Sequence, residues 1–569
     1  MKSLVKIFSV ISAFISAHTS FIFYLSWFFL GLLQAGYTEL LHDEAYYWQY
    51  ASHPAWGYFD HPPMIAWLIY IGSWFFEDEI GVRLLPVILN TTSIYILEKL
   101  LIKTEKKIFY VVISSTAILQ LAGILAVPDS PLLFFSFVFY SQFKRFLENS
   151  SLKNGSYLAL AMSALVYSKY HGILLIIISL GANPGLFRKK SLWLSLTLLF
   201  VFMLPHLHWQ YQNNFPSISY HWLERGDENF SLWLLFNYLF SLPFVYGPFT
   251  GFWFIYALFT FKPGDDYEKT IRLNGIISLL LFLLLSLKGR IEANWTFIAL
   301  LPLIYTGIKR AESQRQIQIL LWRLFPFTLL IILLLRVYMV WDFLPVAWNI
   351  KTEFHNNKTW ALQIKQLAGG RPVAFMNSYQ YASKYAFYSG EPSFSLNNVA
   401  GRRNQYTIWD SEYSFQGENI ILVTNYESPD FNRLETVKGR LNFVAIPNFR
   451  SYGNTRIETP VNQLVCKQNS AVQISVKIKT FNSQSRNTAA NPIYPAYLSY
   501  SVFQKNTLLS ENKTSLLLTN NMINNEQKYT AKLTFTLPPG EYTLLLGTKS
   551  GWLPSQAGSK KIKLFITTD

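Results

Sequence analysis

Between Ile7 and Trp341 the chain is a succession of apolar runs, and nothing else in it restricts the fold as strongly. A backbone in hydrocarbon must satisfy its own N–H and C=O groups, so apolar runs of about 20 residues cross as helices. Such runs lie at roughly 7–33, 80–101, 108–127, 132–147, 155–169, 171–183, 191–211, 232–261, 271–287, 295–308 and 317–341, which makes eleven expected spans. The first is too long for the apolar core of a cleaved signal and is expected to be retained. A net charge of +16 raises nucleic acid as a partner, but Lys and Arg sit in short clusters between the runs and form no continuous basic face. Nucleic acid is set aside on that ground, and the clusters read as inner loops under the positive-inside rule.

Basic and polar loops alternate only if Met64–Phe76 stays on one side of the bilayer. That run holds about 13 apolar residues, too few to cross, and it ends in Glu77-Asp78-Glu79 rather than in cations. Read as a juxtamembrane helix at the outer face, it leaves the N-terminus inside and everything after Trp341 outside. Five polar loops then share the outer surface: Glu39–Pro63, Val127–Pro131, Ser168–His171, residues 212–231 and Lys288–Trp295.

Beyond the last run the pattern changes. Strand-like Pro372–Met376 and Asn419–Thr424 flank a helical piece near Gln380–Tyr388, which reads as a small α/β unit. From Tyr452 the apolar residues alternate, as in Val472–Ile478 and Tyr529–Leu537, which reads as a β-sandwich. The expected fold class is an α-helical polytopic membrane protein with a C-terminal external α/β unit and β-sandwich. The domains are placed at 1–345, 346–451 and 452–569. A single cysteine, Cys466, excludes an intrachain disulfide and a cysteine-based zinc cage, and it reads as a strand residue.

The chemistry concentrates in the first polar loop, ELLHDEAYYWQYASHPAWGYFDHPP. Asp43 and Glu44 are adjacent, so their side chains point apart: one can face a reacting centre while the other binds something else. A carboxylate at a membrane edge suits base work on a hydroxyl or coordination of a hard cation. Asp129, in Val-Pro-Asp-Ser-Pro, stands where one span ends and the next begins, and helix capping is the competing reading. Arg83, Lys169, His171, Lys288 and Arg290 gather on the same side, where each can anchor to headgroups or serve a site. Acids beside several separated cations describe a place that binds an anionic lipid headgroup and deprotonates a neighbour. Tyr46, Tyr47, Trp48, Trp56 and Tyr58 suit sugar faces or an interfacial belt equally in kind. The first-loop acids show no three-ligand metal spacing; the chemistry requires no cofactor, and a divalent metal is compatible with it. In the outer α/β unit, Asn377–Tyr385 and Arg402–Tyr406 are dense in groups that bind carbohydrate.

Taken in order, Asp43-Glu44-Ala-Tyr-Tyr-Trp48, Gly57-Tyr-Phe-Asp-His-Pro-Pro63, Arg83-Leu-Leu-Pro86, Asp129-Ser-Pro-Leu-Leu-Phe134, Ser168-Lys-Tyr170 and Arg290-Ile-Glu-Ala-Asn-Trp295 resemble the GT-C glycosyltransferases. The dolichyl-phosphate-mannose protein mannosyltransferases and the bacterial lipid A aminoarabinose transferases are the most similar groups, and the likeness covers roughly residues 20–345. The resemblance implies inverting transfer of a sugar from a polyprenyl-phosphate donor to a hydroxyl of a lipid, glycan or protein acceptor. It places that reaction on the periplasmic face of a bacterial inner membrane. Under it Asp43 is the base, Glu44 its supporting acid and Asp129 a second acid near the acceptor. Arg83, His61, Asp60, Lys169, His171 and Arg290 hold the donor and its phosphate, and Glu292, Asn294 and Tyr58 assist the acceptor. One departure stands out: Asp60-His61 replaces the Glu-Lys of the aminoarabinose transferases and is nearer the His-Pro-Pro of the mannosyltransferases. A neutral His61 binds phosphate more weakly than lysine. A polyprenyl-linked glycan flippase is the alternative; it predicts charges midway along spans and internal repeats, whereas here polar groups cluster at span ends without a repeat.

Overall fold

The computed structural model describes residues 18–101, 105–220, 231–287, 289, 291–345, 353–429, 431–453, 455–480, 495–505, 507–518, 528–551 and 553–568. They form two compact units, Met1–His355 and Asn356–Asp569.

The first unit is helical. Helix Thr19–Tyr37 runs antiparallel to Glu79–Leu100: Arg83 bonds the carbonyl of Ala35 (2.9 Å) at one end, and the Tyr24 hydroxyl donates to Glu98 (2.8 Å) at the other. The loop between them therefore leaves and returns at the same end. Helix Met64–Gly72 within it has 9 residues, about 13 Å at 1.5 Å per residue, far short of a bilayer. Its side chains Ile65, Ala66, Leu68 and Ile69 are buried while Tyr70 and Ile71 are exposed, as for a helix lying along a bundle.

Four helices are long and apolar enough to cross alone: Thr19–Tyr37, Glu79–Leu100, Lys190–Gln212 and Arg315–Val340. Counting each of two bent pairs as one span raises the number to 6 among the described residues, so the expected eleven is not reached on length and composition. The expected 108–127 span is two helices, Lys106–Ser114 and Ala117–Ile124, meeting at 68°, and 232–261 is Leu232–Tyr246 and Thr250–Thr260, meeting at 104°. The two breaks face each other. The Thr250 hydroxyl donates to the carbonyl of Ser115 (3.2 Å), and a Cβ on Gly247 would lie 2.6 Å from that same oxygen. Backbone freed by one break is thus met by the other, as an apolar setting demands. The first expected span continues past 33 to Tyr37, and its beginning lies outside the described residues.

In the second unit, β1 (Val373–Met376), β2 (Ser393–Leu396), β3 (Ile420–Thr424), β4 (Asn432–Thr436) and β5 (Gly439–Ile446) form one sheet in the order β2-β1-β3-β5-β4. β2, β1 and β3 are parallel; β5 joins β3 and β4 antiparallel. Their burial without alternation in β1–β3 fits a sheet covered on both faces. Strands β6 (Thr455–Glu458), β7 (Gln463–Lys467), β8 (Ala471–Thr480), β9 (Ala496–Gln504), β10 (Thr507–Leu517), β11 (Lys528–Thr534), β12 (Gly540–Ser550), β13 (Gln556–Ala557) and β14 (Ile562–Thr567) form two further sheets. These run β10-β9-β12-β14-β7, with β13 on β12, and β11-β8-β6. Ile474, Val476, Leu498, Leu544 and Leu564 fill the space between them. Cys466 is buried on β7, unpaired, among these residues.

Candidate active site at one end of the bundle

Helix His42–Ala51 carries Asp43 and Glu44 in its first turn. Successive positions on a helix point about 100° apart, and here Asp43 is exposed while Glu44 is fully buried. Each Glu44 oxygen takes two donors. Oε1 accepts from Arg83 Nε (2.7 Å) and the Ala126 amide (2.8 Å), and Oε2 accepts from Arg83 Nη2 (2.5 Å) and the Leu41 amide (2.9 Å). Arg83 spends its other donors on the carbonyls of Ala35 (2.9 Å), Thr38 and Glu39 (3.0 Å). All five N–H groups of a fully buried guanidinium are thus engaged within the protein. The phosphate contact expected of Arg83 finds no donor left to make it, and the residue acts as a brace between spans.

Asp129 begins helix Asp129–Glu148, but its carboxylate is not turned to capping. Oδ1 accepts from Lys169 Nζ (2.7 Å) and Oδ2 from Asn294 Nδ2 (2.9 Å), with Asp129 and Lys169 both buried. Lys169 sits in the extended link between helices Leu152–Ser168 and Gly172–Ala182, and Asn294 in the 3-10 turn Ala293–Ala299. Three residues picked from separate loops therefore meet in one hydrogen-bonded cluster. His171 lies beside it, its ring 5.3 Å from Trp295. Half-buried Glu292 precedes the 3-10 turn, its carbonyl accepting from the Trp295 amide (3.0 Å). Lys288 and Arg290 lie outside the described residues.

The Gly57–His61 turn closes with the Tyr58 amide on the His61 carbonyl (3.1 Å). Tyr58 is buried and stacked on Tyr50 at 4.2 Å. Its hydroxyl is shared among the Ala55 amide and the carbonyls of Tyr50 and His53, and burial pushes its phenol pKa up. A side chain so enclosed shapes the loop and offers no face to a sugar, which corrects the assisting role expected of it. His61 is half-buried, edge-on to Tyr47 at 5.6 Å. Asp60 is buried close to Tyr170, whose phenol is raised by burial first and by that carboxylate in addition.

Beneath the turn lies a network that sequence reading did not single out. His206 Nδ1 donates to the carbonyl of Trp56 (2.7 Å), which leaves Nε2 to accept from the Tyr170 hydroxyl (3.1 Å). Gln210 Nε2 donates to Tyr170 Oη (3.0 Å) and Ser217 Oγ (2.8 Å), and Ser217 donates to the Tyr58 carbonyl (3.1 Å). His206 and Gln210 are four apart on helix Lys190–Gln212, hence on one face. That spacing at the polar end of an apolar run was the available signal. Gly57 touches the same helix: a Cβ there would be 2.5 Å from the Trp209 ring.

In the second unit, half-buried Tyr381 packs on Trp360 at 5.3 Å, Arg402 lies over the Tyr379 ring at 5.5 Å and Arg403 is exposed. Among the described residues no three His, Cys, Asp or Glu side chains gather as metal ligands.

An exposed acid beside a braced acid, with a third acid held by lysine and amide, thus stands at one end of a bundle of apolar helices. Residues 60–209 match the family model for dolichyl-phosphate-mannose-protein mannosyltransferase. Asp43 and Glu44 lie just ahead of that match. The fold is similar to that of ArnT from Cupriavidus metallidurans in the apo state, with TM-score 0.53 and 14% identity over 76% of this chain and 98% of that one. ArnT of the same organism bound to undecaprenyl phosphate is equally similar, at TM-score 0.53 and 14% identity, covering 76% of this chain and 99% of that one. No curated protein sequence matches the chain.

Proposed function

We propose that the protein is a membrane glycosyltransferase that moves a sugar from a polyprenyl-phosphate donor to a hydroxyl of a lipid, glycan or protein acceptor, at the outer face of a bacterial inner membrane. The observation that carries this reading is the division of labour between Asp43 and Glu44. Glu44, buried on Arg83 and on the amide of Ala126, ties the first loop to the segment entering Asp129, and it leaves Asp43 exposed on the other side of the helix.

In the reaction the acceptor oxygen attacks the anomeric carbon, Asp43 takes its proton, and the bond from that carbon to the phosphate oxygen breaks. The lipid phosphate leaves as an anion and the sugar is inverted. Phosphate is already a good leaving group, so the site needs cations more than an acid to protonate it. Lys169, which spends one of its donors on Asp129, and His61 and His171 are the described residues proposed to face that charge. Asp129, fixed by Lys169 and Asn294, orients the acceptor. No step requires a metal.

The topology has support of its own. Arg336, near the end of the last long helix, bonds Leu30 and Gln34, near the end of the first. Two helices whose final turns lie together run the same way, which fits an odd number of crossings from first to last. The basic inter-helix clusters then fall opposite the acids, on the inner side.

The test is transfer by purified protein in detergent, with a radiolabelled polyprenyl-phosphate sugar and an extract of envelope lipids and glycans as acceptors. Product from the wild type and at least about a hundredfold less from Asp43→Asn is expected. A flippase would form no product in either and would move the donor across vesicles instead.

A further inference from the structure

We propose that Arg336 is a binding site for the phosphate ester of a lipid at the membrane edge, a role nothing in the site above assigns. It lies inside Arg315–Val340, the most apolar of the four helices long enough to cross alone, and is only half-buried. Its Nε donates to Gln34 Oε1 (3.3 Å), one Nη1 hydrogen to Gln120 Oε1 (2.7 Å) and one Nη2 hydrogen to the carbonyl of Leu30 (3.0 Å). These partners come from three separate segments and all are neutral. No carboxylate of the described residues lies within ion-pair distance of it. The nearby Asp342 instead faces His355 Nδ1 at 3.8 Å. Neutral acceptors satisfy hydrogen bonds but leave the positive charge uncompensated, and such a charge in a spanning segment is costly to keep.

What remains open on the guanidinium matches a specific ligand. Two N–H groups, one on each terminal nitrogen, meet no acceptor among the described residues, and that pair suits a phosphate held in two-pronged fashion. Arg83 cannot supply this, since its donors are all engaged. The setting also ties occupancy to the candidate active site. Gln34 Nε2 donates to the Arg336 carbonyl (3.1 Å) and to Thr38 Oγ1 (2.7 Å), and the Thr38 carbonyl is one of those that hold Arg83. A phosphate on Arg336 is therefore linked through Gln34 and Thr38 to the brace behind Asp43.

A polyprenyl phosphate and an ordinary phospholipid share this chemistry. Binding of undecaprenyl phosphate and of phosphatidylglycerol to the purified full-length protein in neutral detergent, followed by native mass spectrometry, tells them apart. Arg336→Gln is expected to weaken one of the two at least tenfold, and which one identifies the source. Arg336→Lys, which keeps the charge but loses both the three-way clip and the two-pronged grip, is expected to bind that lipid between wild type and Arg336→Gln. Thermal unfolding of each variant reports the clip separately. Unchanged binding of both lipids in Arg336→Gln overturns the proposal, as does equal loss in Gln and Lys variants, which marks a brace alone. Should Arg336→Gln fail to fold, Arg336→Lys against wild type decides: a partial loss confined to one lipid upholds it, and unchanged binding of both or loss of both overturns it. Transfer is not the readout, so failure here leaves the role of Asp43 untouched.

Discussion

The carboxylate of Glu44 and the guanidinium of Arg83, 39 residues apart in the chain, meet through two hydrogen bonds of 2.7 and 2.5 Å with neither side chain reaching solvent. Removing one partner leaves a buried charge alone, which costs about 3–5 kcal/mol. Glu44→Gln and Arg83→Gln are each expected to lower the thermal midpoint of the purified protein sharply, and the double variant should recover part of the loss. A fall in donor affinity with an unchanged midpoint in Arg83→Gln would return that residue to phosphate binding.

Asp43 makes the opposite prediction. Being exposed, it leaves no buried charge behind when changed, so Asp43→Asn should cut transfer by about 10²–10⁴-fold, the usual contribution of a general base. The unfolding midpoint should stay where it was. A drop in both would mean that Asp43 supports structure.

Gly57 tests the seat of the first loop. With 2.5 Å to the Trp209 ring, an alanine Cβ has no room, and overpacking of this kind costs about 1–3 kcal/mol. Gly57→Ala should lose transfer together with protection of the 56–61 amides from hydrogen exchange. Normal exchange there would show that the ring gives way.

The second unit should respond to pH. Burial raises the Glu412 carboxyl to about 7, although the Ser451 hydroxyl and Gln556 Nε2 bond it. A folded value above the ordinary 4.5 means that the folded state holds the extra proton, so the stabilisation is complete below 4.5 and is lost as pH rises through about 7. Amide exchange near 411–416 and 451–453, corrected for intrinsic rate, should quicken between pH 5.5 and about 8, and Glu412→Gln should abolish that change.

Much of the site was legible because function and membrane together restrict where polar residues can stand. Asp129, Lys169 and Asn294 each mark the edge of an apolar run, and edges at one side of a bundle must converge. What stayed hidden depends on which partner a group chooses. A guanidinium at the end of a span reads the same whether it awaits a phosphate or holds Ala35, Thr38 and Glu39, and only the loop's path decides. His206 within an apolar helix reads as filling until the carbonyl of Trp56 is found on it. Hydropathy records how much of a segment is apolar and is blind to direction, so the 68° and 104° breaks passed as straight spans.

The brace at Glu44 also sets a schedule for biosynthesis. Its carboxylate needs the amide of Ala126, 82 residues later, and Asp129 waits 165 residues for Asn294. As the chain emerges residue by residue, the first loop is made long before Ala126 and Asn294. Arg83 and Leu41 can meet Glu44 early, but its fourth donor and the Asn294 side of Asp129 come only with later segments, so a chain truncated before Ala126 leaves the Glu44 carboxylate one donor short.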